Sequence, residues 1–357
     1  MRKLGLVIFL ISFLTSTAFA DTVYLKNGKS VSGKVIERTD DYIKLDFDGT
    51  SLTYWADEIE TIQQENTYSS EEIIVVPSRS PSRSASGSKG KVFLWEAKSA
   101  RNSVYILGSI HLAKPSLYPL DKRIEDAFKG SNTLVVEVNI EAFDPIALQQ
   151  TFMERGVYSD GSTLGDHLSK KTFKMVEEKL GGSGLGLGPM AIFKPWFLSI
   201  TLSTLELLKL GFDPEYGVDK HFLKKAKGKR ILELESLEYQ LSLFDGFTDK
   251  QQDLLLFSTL LDLKIIEKEM DNLIKAWKNG NADKVEEILM KGLDEHPEIL
   301  PIIEKIFYER NRKMVLKIER YLGTNDTHFV VVGAGHLVGE KGIVQLLKKK
   351  GYSLQQL

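Results

Sequence analysis

The sequence predicts an α+β protein: a small N-terminal SH3-like β-barrel, a flexible linker, and an α/β domain with a central mixed sheet and a large helical insertion. Three observations carry this. Residues 21–63 run in short alternating segments punctuated by Asn27-Gly28 and Asp48-Gly49, the strongest short hairpin signals. Residues 64–90 end in a Ser/Pro/Arg-rich run with too little apolar surface to order itself. From Lys91 onward, apolar runs of strand length stand on either side of a long helical stretch, Glu141 to about Glu319.

At 357 residues the chain is long enough for two or so domains and a sizeable core. A formal net charge of −2 gives no reason to expect a polyanion partner, and no nucleic-acid, nucleotide or flavin motif appears. With no cysteine, disulfides, thiolate metal sites, a Cys nucleophile and a lipid-modified Cys anchor are excluded. Any metal must then be held by imidazole, carboxylate or water, which suits manganese, cobalt, zinc or iron.

Met1–Ala20 reads as a secretory signal. Arg2 and Lys3 lead an apolar run that ends in Ala18-Phe19-Ala20, a small-x-small cleavage pattern. The apolar run is short for a bilayer of ~30 Å, so removal is favoured over an uncleaved anchor. The expected mature protein is periplasmic or secreted and has no stable membrane span. Residues 21–63 are expected to supply the barrel, with Tyr42, Tyr54 and Trp55 filling its core. The barrel is a candidate surface for an envelope partner. Residues 64–90 form the linker, and the α/β domain runs over 91–357.

In that domain Val92–Ala97 and Ser103–Leu107 flank a turn at Arg101-Asn102, and the second strand leads into Gly108-Ser109-Ile110-His111. Leu120–Gly130 reads as an amphipathic helix with Ile124, Ala127 and Phe128 inward, followed by a strand, Thr133–Asn139. Strand–helix–strand order makes this last strand a parallel neighbour of the His111 strand. The Gly181–Gly188 run lacks the Lys-Ser/Thr of a phosphate loop and reads as a connection or lid. Pro195–Leu210 is a buried or amphipathic helix. Lys229–Glu235 is a short strand on which Glu233 and Glu235 share one face. Helices follow over Asp249–Gly280, Ala282–Leu293 and Pro301–Leu322. Near the end, Phe329–Val332 leads into Gly333-Ala334-Gly335-His336, then a helix and a last strand.

The doubled Gly-x-x-His carries the chemistry. If the two runs are neighbouring strands, both imidazoles enter one crevice at the strand ends, where open α/β sheets bind ligands. Glu137 interrupts an apolar strand, and a buried carboxylate costs several kcal/mol unless it is paired or metal-bound. His111, Glu137 and His336 are therefore the candidate metal ligands, a set whose open positions suit a catalytic site. The competing reading makes both units structural duplications of a strand–turn–helix.

GSIH with Pro119-Leu120 downstream, VVEVN, and the C-terminal GAGHLVGEKGIVQLLKKKGY closely resemble the TraB/GumN family. The resemblance runs from Val92 to the C-terminus. It implies distant kinship with the Tiki metalloproteases, hence a metal-dependent hydrolase of peptide or small-molecule substrates using a manganese- or cobalt-type ion. The family's acid in a Leu-Glu-x-x-Glu segment matches Leu234–Glu238, which gives Glu235 a role as general base or further ligand. Arg310, in Glu309-Arg310-Asn311-Arg312, is a candidate for holding an oxyanion or orienting a carboxylate. Asp219 is a lesser candidate. Ser109 lacks a Gly-x-Ser-x-Gly setting for a nucleophile. His221 is expected in solvent, and His167, His296 and His328 have no supporting context. The alternative class is a non-catalytic metal-, haem- or peptide-binding envelope protein.

Overall fold

A computed structural model describes residues 21–26, 30–39, 42–47, 50–56, 59–63, 90–181, 186–291, 293 and 296–357. The expected signal peptide, nearly all of the linker, the Asn-Gly and Asp-Gly turns and the middle of the glycine-rich run fall outside the described residues.

The N-terminal unit has five strands, β1 (Asp21–Leu25), β2 (Ser30–Arg38), β3 (Tyr42–Phe47), β4 (Thr50–Trp55) and β5 (Ile59–Gln63). They pair antiparallel in the order β4-β3-β2-β1-β5. Successive strands flank both expected hairpin turns, with Tyr24 opposite Ser30 and Phe47 opposite Thr50. The aromatic expectation needs correction at Trp55, which is 53% exposed and packs edge-on against Tyr42. An end position on an edge strand leaves that ring in solvent.

The large unit is built on a second sheet, from β6 (Leu94–Lys98), β7 (Ser103–Ser109), β8 (Thr133–Val136), β9 (Arg230–Glu233), β10 (His328–Gly333) and β11 (Ser353–Gln356). The order is β11-β6-β7-β10-β8-β9, mixed in direction. β7, β10, β8 and β9 run parallel, while β6 and β11 are antiparallel at the other side. The centre is apolar on both faces. Every residue of β8 and β10 is buried, as parallel strands covered on both sides require. Helices from the long middle segment cover the sheet and form a second apolar cluster around Trp196, Phe197, Phe244 and Phe307.

Several expectations change. The Thr133 strand does not lie beside the His111 strand, because β10 separates them. That slot favours apolar side chains on both faces, which Phe329–Val332 supply, and all six residues of His328–Gly333 are buried in it. β8 also stops at Val136, so Glu137 stands just beyond the strand end. β9 stops at Glu233, and there Glu233 stays exposed while Glu235 turns inward to 7% exposure. The first helix begins at Lys122, because the Asp121 side chain caps it by accepting the Arg123 N–H. The Asp249–Gly280 segment is two helices, Asp249–Asp262 and Ile266–Lys278. The helix expected over Ala282–Leu293 closes at Leu289. The segment up to Leu322 opens at Leu300 and contains a π-helical turn, Glu304–Tyr308, immediately before the helix Glu309–Leu322 that carries Arg310.

Candidate functional site

The two Gly-x-x-His units lie side by side. β7 and β10 pair in parallel register with Gly333 opposite Ser109, so both histidines follow the C-terminal ends of adjacent strands. The glycines do not act through an unusual backbone: neither Gly108 nor Gly333 has a positive φ. A Cβ on Gly108 would stand 2.5 Å from the Phe93 ring and 3.0 Å from the Ala334 backbone. Close packing inside the fold accounts for glycine at 108. The Gly108 carbonyl accepts the Trp277 indole N–H at 2.6 Å.

His111 is held from the helix Val218–Lys225. Val218 N–H donates to the Ile110 carbonyl at 3.0 Å, and His111 Nδ1 lies 2.9 Å from Asp219 Oδ1. A carboxylate only accepts, so in the neutral ring Nδ1 carries the proton and Nε2 is the lone-pair nitrogen. Burial by itself would lower the His111 pKa. The charge and hydrogen bond of Asp219, helped by Glu137, outweigh that and raise it.

His336 is buried at 2% exposure beneath the Phe307 ring. Its Nδ1 lies 2.6 Å from Asn311 Oδ1. The Asn311 amide nitrogen donates to the Lys341 carbonyl at 2.9 Å, which fixes the amide orientation. His336 therefore donates through Nδ1, and Nε2 is again the lone-pair nitrogen, 3.8 Å from Glu137 Oε1. Burial, then the nearby Arg310 cation, push the His336 pKa down to about 3, so the ring is neutral at ordinary pH.

Glu137 lies between the strand ends. Its Oε1 accepts the Gly333 N–H at 2.7 Å. Its Oε2 accepts from Arg310 Nη2 at 2.5 Å and from Gln240 Nε2 at 3.1 Å. Burial would raise its pKa, but Arg310, the two imidazoles and the Gly333 N–H bring it down to about 2. Arg310 also grips Glu235, from Nε at 2.9 Å and Nη2 at 2.7 Å, and donates Nη1 to the Ile306 carbonyl. Gln240 Nε2 bonds Glu235 at 2.7 Å. The result is a buried bracket of two carboxylates, one guanidinium and one amide. Such a bracket suits a carboxylate-orienting role for Arg310.

Glu137 and Gln240 face a small cleft, which Ser109, His111 and Asp219 line with them beside apolar residues. Glu235 and Arg310 stand behind Glu137 and are not among its lining residues; nor is His336, so of the two imidazoles expected in one crevice only that of His111 lines this cleft. Of the sequence candidates, Glu137, His336, Glu235 and Arg310 are joined by direct contacts, and His111 shares the cleft. His221 departs from expectation: it is part-buried, 3.0 Å from Glu125 Oε1, with its ring 4.8 Å from that of Tyr118. Sequence reasoning undervalued Asp219 and missed Asn311 and Gln240. Gln240 left a signal, being the polar residue on the buried face formed with Leu237, Leu241 and Phe244. Asn311 left none beyond its position next to Arg310.

The candidate site, with two anchored histidines and a buried acid, stands at the C-terminal ends of parallel strands, the place where open α/β sheets commonly bind ligands. Residues 93–356 match the TraB/PrgY/gumN family, and the chain belongs to that family. It is 24% identical over 254 residues to the uncharacterized protein YbaP of Escherichia coli (strain K12), covering 68% of this chain and 87% of that protein. An uncharacterized protein of Treponema pallidum (strain Nichols) is 20% identical over 275 residues, 72% of this chain and 80% of the other. A metalloprotease TIKI homolog of Amphimedon queenslandica is 45% identical over 58 residues, 16% of this chain and 11% of that protein. No solved structure matches the chain significantly.

Proposed function

We propose that this protein is a metal-dependent hydrolase of peptide-like substrates, acting in the cell envelope after export. One observation carries the reading: His111 and His336 follow adjacent strand ends, each with Nδ1 committed to an acceptor and Nε2 left as a lone pair. This is how metal-binding histidines are usually prepared, the acceptor on the far side of each ring fixing its tautomer and orientation. The short match to a protein named as a metalloprotease supports the same reading.

The donor chemistry fits a hard or borderline divalent ion such as manganese, cobalt or zinc. The two Nε2 atoms and Glu137 Oε1 are the donors that would hold it. Among the described residues no three His, Asp or Glu side chains form a ready metal-binding group, so this reading has the third donor come from a shift of Glu137 within its bracket. A bound ion would lower the pKa of a water and polarise a carbonyl. This chain's own groups do the rest. Asp219 and Asn311 hold the imidazoles. Arg310 keeps Glu137 ionised, and Gln240 and Glu235 complete the bracket that aims it. In this reading Glu235 and Arg310 are positioning residues that act through Glu137.

The rival reading is a non-catalytic metal- or peptide-binding envelope protein, favoured by the full commitment of both Glu137 oxygens to partners. In either case the five-stranded N-terminal sheet closes as an SH3-like barrel that recruits an envelope partner. No helix among the described residues is long and apolar enough to cross a membrane.

The test is thermal unfolding of the mature protein in EDTA, then with excess Mn²⁺, Co²⁺ or Zn²⁺, beside the His111→Ala/His336→Ala double variant. An ion binding only the native state at ~100 times its dissociation constant adds about 2.7 kcal/mol. A metal-specific rise in the wild type that the double variant lacks, followed by peptide or ester turnover, supports the hydrolase. A rise without turnover moves the protein to the binding class. No rise with any ion sinks both metal readings.

A further inference from the structure

Two buried polar atoms at the cleft lack a partner among the described residues: Ser109 Oγ and Gln240 Oε1. Ser109 is 2% exposed and Gln240 1%. Both line the cleft with Glu137 and His111. The Gln240 amide cannot be reversed to relieve this. Its Nε2 donates to Glu137 and Glu235, and both carboxylates only accept, so Oε1 is left as the unused acceptor. Buried polar atoms are normally satisfied, and two orphans on one small cleft call for a ligand with both a hydrogen to give and an oxygen to receive one. The cleft's cavity volume is about 20 Å³, enough for a single bound water.

We infer that Ser109 and Gln240 seat a single water molecule beside Glu137, and that this is the water consumed in the proposed hydrolysis. The inference rests on the hydrolase reading for its second half only. Gln240 Oε1 accepts one O–H of the water, and the Ser109 hydroxyl donates to its oxygen, leaving a lone pair directed to the open side of the cleft. In the reaction the water oxygen bonds to the substrate carbonyl carbon, the C–N bond breaks, and the released proton ends on the amine nitrogen. Ser109 is then a positioning residue and not a nucleophile.

The experiment has two arms on the mature full-length protein. A high-resolution crystal structure of the wild type is expected to contain a water at about 2.7–3.1 Å from both Ser109 Oγ and Gln240 Oε1. An empty cleft, or side-chain partners for both atoms, overturns the site. The second arm measures cleavage of a fluorogenic peptide panel with added Mn²⁺, Co²⁺ or Zn²⁺ by wild type, Ser109→Ala and Gln240→Met, each shown to be folded by thermal unfolding. Loss of the water contact should lower kcat by about tenfold or more with KM changed less than about twofold. Unchanged kcat in both variants overturns the catalytic role while the hydrolase stands. Wild-type protein that cleaves nothing overturns the catalytic role together with the hydrolase, and the crystal then decides the water site alone.

Discussion

Gly333 N–H donates to Glu137 Oε1 at 2.7 Å, so the turn of the second Gly-x-x-His unit and the acid beyond β8 hold each other in place. Because β10 lies between β7 and β8, this bond places the carboxylate over the strand that leads to His336. Glu137→Gln keeps an oxygen for Gly333 but loses the charge that pairs with Arg310. The expected result is a folded protein, less stable by about 1–3 kcal/mol in urea unfolding, with turnover abolished. Full activity in this variant would remove Glu137 from the chemistry.

Arg310 is buried between Glu137 and Glu235, and the pair of carboxylates holds its guanidinium protonated well above even its usual range. Arg310→Leu leaves two buried carboxylates without a cation and is expected to cost about 3–5 kcal/mol. Arg310→Lys keeps the charge but cannot reproduce the fork, so it should recover only part of the loss. Urea midpoints of the three proteins settle the order, and equal loss in the Lys and Leu variants would discount the charge.

Asp219 and Asn311 act through the histidines. Asp219→Asn and Asn311→Leu are expected to weaken divalent-ion affinity by about 10–100-fold while leaving the fold intact. Calorimetric titration with Mn²⁺ or Zn²⁺ reads this directly. Affinity unchanged in both variants would mean that the imidazole tautomers do not matter, and with them the metal reading.

Acid should destabilise the protein before ordinary carboxylate titration begins. His336 is held to about 3, below its ordinary 6.5. The unfolded chain therefore takes up that proton first, and stability is lost as pH falls from about 6.5 to about 3. Glu137, depressed from 4.5 to about 2, adds a loss of the same sign over that lower window. The raised His111 acts oppositely: its contribution is complete below 6.5 and lost as pH rises through its folded value. Midpoints measured against pH should fall toward acid, and His336→Ala should flatten the slope between about 6.5 and 3. An unaltered slope would place the titration elsewhere.

Gly217 begins the helix that carries Asp219. A Cβ there would stand 2.4 Å from the His111 carbonyl oxygen, which is backbone and cannot swing away. Gly217→Ala is expected to cost about 1–3 kcal/mol and to shift the His111 loop. The loss should appear both in thermal unfolding and in ion affinity, whereas Gly130→Ala, where nothing lies within 4 Å, should be close to neutral in affinity.

Much of this was legible in the chain. Apolar runs at Val104, Thr133 and Phe329 mark buried strands, because strands covered on both faces are built mostly of apolar side chains. The repeated Gly-x-x-His drew attention to His111 and His336 before any fold was known. The acid inside an apolar run marked Glu137, because such a group must be paired. What paired it was not legible. Arg310 lies 173 residues away, and no local rule chooses it over other arginines.

The sequence by itself determined the strand-forming runs, the position of the histidines at strand ends and the family to which residues 93–356 belong. These depend on local apolar content and on motifs read within a few residues. Only the tertiary structure decided that β10 separates β7 from β8, that Glu235 turns inward while Glu233 does not, and that Asn311 and Asp219 set the imidazole protons. Those outcomes depend on long-range packing and on which buried donor meets which acceptor, and chain order does not encode either in its immediate neighbours.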